Sequence, residues 1–196
     1  MNRQEIKIVD LVTISSGYTF RHKIENQSDG DLAIVQPKDT KPNHINEEQV
    51  FKVQNEGIKD KFFLQKGDIL FLGKGANNFA VRFDSNQTSV AASSFFVMRV
   101  KNSQIILSEF LMFYLNSPVG QKQLNSGKEG TYVSNISKKS LEELTVILPS
   151  LEEQEKLCRL YRLADKEIRL TKKLLEKKII LSKVIQTNTI SGKQTI

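Results

Sequence analysis

"LPSLEEQEKLCRLYRLADKEIRLTKKLLEKKIILSKVIQ", Leu148 to Gln186, decides how this chain is read. It contains no glycine, and its one proline stands at its start. Ser150 followed by Glu153 is a capping-box signature, in which hydroxyl and carboxylate each satisfy an amide that a first helical turn would leave orphaned. Downstream, Leu157, Tyr161, Ala164, Ile168, Thr171 and Leu175 alternate by four and three residues. Leu160, Leu163, Leu170, Leu174, Leu181 and Val184 form a second heptad-spaced row, interrupted by Glu167 and Lys177. Two rows make an apolar band wider than a two-stranded seam requires. A helix this long cannot fold back into a small core, so one row is free to meet its own domain and the other a partner helix. The pattern does not assign them.

Outward from this helix, the chain divides into a domain over residues 1–149, a helix over 150–188 and a tail over 189–196. The domain reads as α+β, a mixed, curled β-sheet with short helices. Strands are expected at Lys7–Ile14, Asp31–Pro37, the start of Lys61–Gly75, Ile69–Leu72 after a turn at Lys66–Asp68, Ala80–Phe83 and Ser94–Lys101. From Ser108 the period becomes helical, with Ser108 as the expected N-cap of a segment carrying Phe110, Leu111, Phe113, Tyr114 and Leu115. A second short helix is expected from Pro118, ending before Gly127. One further turn at Ser140–Leu144 precedes the strand "TVILP".

Composition narrows the class. The 196 residues carry a formal net charge of +7. Residues 1–150 hold 18 Lys/Arg against 16 Asp/Glu, and residues 151–196 hold 11 against 6, so most of the excess lies on or after the helix. A polyanionic partner and a solvated basic face both fit that balance. No apolar run approaches the roughly 18 residues of a membrane span, and "MNRQEIKIVD" has no signal-peptide core. The expected location is cytoplasmic. Cys158 is the only cysteine, which leaves no intrachain disulfide and no thiolate cluster for zinc.

Catalytic and cofactor signatures are missing. "GKGANNF" (Gly73–Phe79) lacks the spacing of a phosphate-binding loop. His22 and His44 have no metal-ligand neighbours in sequence, and Cys158 lies near an apolar row, where packing explains it. The acid pairs are sequence neighbours or stand at helix starts, where carboxylates favour the dipole. The expectation is a non-enzyme without metal or cofactor. What remains is four glycine-punctuated loops rich in Arg, Lys, Asn, Gln and Tyr: Ser16–Lys23, Gln36–His44, Gly73–Asn78 and Ser126–Asn135. Such side chains suit DNA, because Arg and Lys reach phosphates or guanine and Asn and Gln pair with an adenine edge. The expected DNA contacts are Arg21, Lys38, Lys74, Asn77, Asn78 and Tyr132, with Lys128 on phosphate.

Three stretches, "IVDLVTISSGYTFR", "LQKGDILFLGKG" and "GTYVSNISKKSLEELTVILPSLEEQEKL", give the chain a family likeness. It resembles the specificity subunit of type I restriction-modification systems over nearly its whole length, the last stretch being the most specific. In that family a strand leading into a Ser-Gly turn opens the recognition domain, "KGDIL" marks a central strand, and the "LEEQ" passage enters a spacer helix. The resemblance implies a target recognition domain that reads a DNA half-site. It also implies chemistry in partner subunits: adenine methyltransferases that use S-adenosylmethionine, and an ATP-dependent restriction subunit. Typical members carry two recognition domains and two spacer helices, whereas this chain carries one of each. "ISGKQTI" resembles a family-type ending, so the expectation is a half-length form. Two copies pairing their helices antiparallel, through Leu157, Tyr161, Ala164, Ile168 and Leu175 or through Leu160, Leu163, Leu170, Leu174 and Leu181, would form a homodimer with two reading heads. Leu151–Gln186 would span about 54 Å at 1.5 Å per residue. The competing reading is a coiled-coil interaction module that binds no DNA.

Overall fold

The turn expected at Lys66–Asp68 shows how the domain is fastened. In the computed structural model, which describes residues 4–75, 77–126 and 135–190, Gly67 takes a φ of 92°, a left-handed conformation that suits glycine. That turn buries Asp68, whose carboxylate forms a two-pronged ion pair with Arg99, Nε to Oδ1 and Nη2 to Oδ2, both at 2.7 Å. Asp68 Oδ2 also accepts the Gln65 amide at 2.8 Å. Asp68 is 1% exposed, so "KGDIL" encodes a buried charge and its turn, while Arg99 supplies the counter-ion from a strand 31 residues away.

The elements run in order β1 (Gln4–Lys7), α1 (Ile8–Leu11), β2 (Val12–Ser16), β3 (Leu32–Val35), β4 (Thr40–Lys41), β5 (His44–Ile45), β6 (Phe51–Val53), β7 (Ile69–Leu72), β8 (Ala80–Arg82), β9 (Ser89–Ala91) and β10 (Phe95–Val100). Then follow α2 (Ser108–Asn116), α3 (Pro118–Asn125), α4 (Lys138–Glu142), β11 (Thr145–Leu148) and α5 (Leu151–Ile190). The class is α+β with a long C-terminal helix. Strand pairing is spread over several small sheets: β1–β11, β2–β10–β7–β8, β6–β3–β9 and β4–β5. The mixed character sits in one of them, where β3 pairs antiparallel with β6 and parallel with β9. One apolar cluster packs Leu70, Leu72, Val81, Phe83, Phe95 and Val97 together. A second joins Leu32, Ile34 and Val90, with Tyr18, Phe62 and Phe63 against it.

Several local expectations change. The strand expected over Lys7–Ile14 is broken by α1, because a helical turn brings Ile8 and Leu11 to one side and buries both, whereas strand alternation would turn one outward. The expected strand at Lys61 is a 3-10 turn over Asp60–Phe62. β9, which the sequence did not signal, supplies the parallel partner of β3. Ser108 is the first residue of α2 rather than its cap; the N-cap is Leu107.

Asn116, at the end of α2, clasps the edge strand β8. Its Oδ1 accepts the Ala80 amide at 2.7 Å and its Nδ2 donates to the Ala80 carbonyl at 2.8 Å and to Asn43 Oδ1 at 2.6 Å. The chain separates into two compact units, Met1–Glu155 and Lys156–Ile196. The first turn of α5 therefore belongs to the first unit. There the expected capping box forms: Glu153 N donates to Ser150 Oγ at 3.3 Å, and Ser150 N donates to Glu153 Oε2 at 3.1 Å. Gln154, fully buried, accepts the Leu107 amide and donates to the Ile105 and Pro149 carbonyls.

Candidate nucleic-acid interface

β2 ends in the sequence Ser15-Ser16-Gly17, and the reason for glycine is contact. A Cβ on Gly17 would collide with the Ala91 and Ala92 carbonyl oxygens. The close approach is used by the ladder: Gly17 N donates to Phe95 O at 2.9 Å and Tyr18 N to Ala91 O at 2.8 Å. Tyr18 is thereby fixed, and it meets Phe20 and Phe62 edge-on at centroid distances of 4.8 and 5.2 Å. Tyr18 and Phe20 wall a cleft of about 480 Å³ that also includes His22, Lys38 and Phe51. A neighbouring cleft of about 490 Å³ shares Tyr18, Phe20 and His22 and adds Arg21.

Two of the expected contacts, Arg21 and Lys38, thus line adjoining clefts. Lys38 places its ammonium 3.0 Å from the centroid of the Phe51 ring, a cation–π contact that presents a fixed positive charge at the cleft edge. The second cleft also holds Glu25 and Glu56, so its charge is mixed rather than uniformly basic. Around Lys38 the backbone is pinned by Asp39, whose Oδ2 accepts the Gln36 amide at 2.9 Å. Asp39 is 2% exposed, and burial raises its carboxyl above the ordinary value. Its Oδ1 and the Gln36 Nε2 are buried without a hydrogen-bond partner.

Lys74 and Asn77 are exposed on the loop after β7. Its base is tied to the segment before α4, with Ile136 N donating to Gly73 O at 2.8 Å and Gly75 N to Asn135 Oδ1 at 3.3 Å. Asn78 has a structural use, its Nδ2 donating to the Leu72 carbonyl at 3.0 Å. Lys128 and Tyr132 lie outside the described residues. The aromatic residues of the clefts, Tyr18, Phe20 and Phe51, were not among the expected contacts. The alternation in "SGYTF" was the available signal for Tyr18 and Phe20. Among the described residues, no group of three or more His, Cys, Asp or Glu is placed to hold a metal ion. No described helix is long and apolar enough to cross a membrane.

Over its described residues the second unit is a helix with exposed apolar rows. Leu160 and Leu163 are each 61% exposed and Leu170, Leu174, Leu175 and Leu181 lie between 53% and 58%. Tyr161 and Ile168 are likewise exposed, as is Ala164, while Leu157 is partly buried. Ile179 and Ile185, also exposed, extend the two rows beyond the expected set. An apolar band this long in water favours association with another surface.

Comparison with known proteins places the chain. A family model described as "Type I restriction modification DNA specificity domain" matches residues 2–178. Among solved structures, the type I restriction-modification S subunit from M. genitalium aligns over 99% of this chain and 47% of its own, with 17% identity and a TM-score of 0.63. The HsdS subunit from Thermoanaerobacter tengcongensis aligns over 94% of this chain and 47% of its own, with 14% identity and a TM-score of 0.64. A chain from a structure describing complex assembly and conformational transition of the type I R-M system aligns over 94% and 44%, with 17% identity and a TM-score of 0.70. At these identities the likeness is one of fold, and this chain spans under half the length of each.

Proposed function

The chain belongs to the family of type I restriction modification DNA specificity domains, and from that premise we propose that it is the DNA sequence recognition subunit of a type I complex. The family match over residues 2–178 carries this reading. The first unit reads a half-site, with Arg21 and Lys38 at the Tyr18–Phe20 clefts and Lys74 and Asn77 on the neighbouring loop as its contacts. Arg suits guanine O6/N7 and Asn suits adenine N6/N7, while Lys also serves phosphate. Lys128 and Tyr132 complete the proposed set, and Asn78 serves it indirectly by shaping the loop.

The reaction belongs to partner subunits. An adenine methyltransferase, and in restricting complexes an ATP-dependent restriction subunit, work on DNA that this chain selects. The chain itself contributes no catalytic group and acts in the cytoplasm. The fold of a complex-assembly structure of a type I system supports the partner assignment.

The exposed rows of α5 support a further part of the reading. Two copies pair antiparallel through these rows and hold two identical heads at opposite ends of a rod. Twofold symmetry presents the same reading surface twice, inverted, which calls for an inverted repeat split by an unread gap. The helix sets the gap. A coiled-coil module without DNA binding gains no support from a family defined by DNA specificity.

The direct test is equilibrium binding of the chain, assembled with its methyltransferase, to a pool of randomised duplexes. Enrichment of an inverted repeat with a fixed gap is expected. Binding without sequence preference would refute the reading.

A further inference from the structure

Arg159, Arg162, Lys166, Arg169, Lys173 and Lys177 follow one another along α5 at intervals of 3, 4, 3, 4 and 4 residues. At about 100° per residue they fall within about 80° of helix circumference. All six are exposed. Leu157, Tyr161, Ala164, Ile168 and Leu175 occupy the opposite side, so pairing through that row leaves the basic row in solvent, while the row of Leu163, Leu170 and Leu174 borders it, with Lys177 and Val184 at the boundary. No acidic residue between Arg159 and Lys177 falls on this arc: Asp165 and Glu176 flank it, and Glu167 lies among the apolar positions. Asp165 meets Arg169 at 3.0 Å from the side. Glu155 precedes the row on the same face, and Ile180 and Val184 follow it.

A merely solvated face is ordinarily laced with opposite charges at i,i+3 and i,i+4, because those neighbours attract. Here every successive pair along the row is like-charged, a repulsion that Glu155, Asp165 and Glu176 offset only from the row's end and flank, at Arg159, Arg162, Arg169 and Lys173, and that no acid three or four positions away offsets at Lys166 and Lys177. An extended polyanion reverses that repulsion. The row runs for about 27 Å at 1.5 Å per residue, close to eight base pairs of duplex at 3.4 Å each. A regular series of cations with no base-reading loop suits phosphates, which carry charge without sequence information.

We infer that this face of α5 binds the phosphate backbone of the unread DNA between the two half-sites, so that the rod holds the gap as well as measuring it. The inference rests on the DNA-reading function proposed above.

The test uses the chain assembled with its methyltransferase and the duplex that this complex selects. Lys166→Gln with Lys173→Gln removes two charges from the row; Lys172→Gln with Lys183→Gln removes two charges from outside it. Glutamine keeps helix propensity close to that of lysine. Each lost phosphate contact lowers the slope of log K against log salt by about 0.9, so the row variant, which lacks four charges in a pair of chains, should lose up to about 3.6 in slope and the off-row variant far less. Preference for the selected sequence over a scrambled one should stay unchanged in both. Replacing the gap phosphates with neutral methylphosphonates should weaken the wild type and leave the row variant nearly indifferent. Equal slopes for the two variants, or indifference of the wild type to the neutral gap, would overturn the inference while the DNA-reading function stands. A row variant that loses the methyltransferase at unchanged slope would also overturn it and assign the row to an acidic protein face. Absence of selective binding by the wild-type complex would instead bring down the function on which the inference rests.

Discussion

The side-chain carbonyl of Gln154 accepts the backbone amide of Leu107 at 2.9 Å, joining the first turn of α5 to the start of α2 across 47 residues of sequence. Its Nε2 donates to Ile105 O and Pro149 O, each at 3.0 Å. One buried amide thus satisfies three backbone groups and ties the first turn of α5 into the first unit. Gln154→Leu is isosteric in part but leaves those groups unpaired at about 1–3 kcal/mol each before relaxation. A loss of about 3 kcal/mol in urea unfolding of the whole chain is expected. Glu155→Ala, one residue further and exposed, should stay within about 0.5 kcal/mol. Equal effects would remove Gln154 from the anchor.

The Asp68–Arg99 pair makes a second prediction. Asp68→Ala would strand a guanidinium that is held by two 2.7 Å hydrogen bonds and would free the Gln65 amide. Breaking such a pair from its buried side costs about 3–5 kcal/mol. Because Arg99 is partly exposed, the lower end is expected, measured as a shift in the denaturant midpoint at unchanged slope.

Asp39 supplies a pH dependence. Burial raises its carboxyl in the folded chain above the ordinary 3.8. Its protonated form is therefore favoured by folding, and that contribution is full below the unfolded value and lost as pH rises through the folded one. Relative to Asp39→Asn, which keeps an acceptor for the Gln36 amide, the wild type should gain stability as pH is lowered from about 7 toward about 4. Denaturation curves across that range check the sign; a wild type that loses ground on acidification would contradict it.

The clefts give a prediction on specificity. Arg21→Ala should cost about 1–3 kcal/mol on the selected half-site and relax preference at one base position. Lys38→Ala should weaken all sequences alike if its ammonium, held over Phe51, faces phosphate. Selection from randomised half-sites by each assembled variant separates the two roles.

Much of this architecture was legible in the sequence because the signals were local. The capping box of Ser150 and Glu153, the glycine of the Lys66–Asp68 turn and Pro118 at a helix start each act through residues three or four positions apart. α1 was missed because its β-branched Ile8 and Val9 favour a strand, and burial of Ile8 and Leu11 on a shared side turns the segment helical. β9 was missed because "SVA" is three residues long and is made a strand by β3, which lies more than fifty positions away. The Asp68–Arg99 pair and the Gln154 anchor are likewise long-range. Within the site, Arg21 and Lys38 were chosen by chemistry and do line adjoining clefts, yet the wall that shapes them is aromatic. Asn78 had the right chemistry for a base edge and is used by the Leu72 carbonyl. Residue type alone could not separate it from Asn77.

The proposed separation of two reading heads by α5 is tested most directly by shortening that helix. Deleting residues 168–174 removes seven residues and about 10 Å while keeping both apolar rows in phase, equal to about three base pairs. The preferred gap between half-sites, measured by selection from duplexes with gaps of varied length, should shorten by about three base pairs with the half-site sequence unchanged. An unchanged gap in a variant that still binds and dimerises would contradict the account.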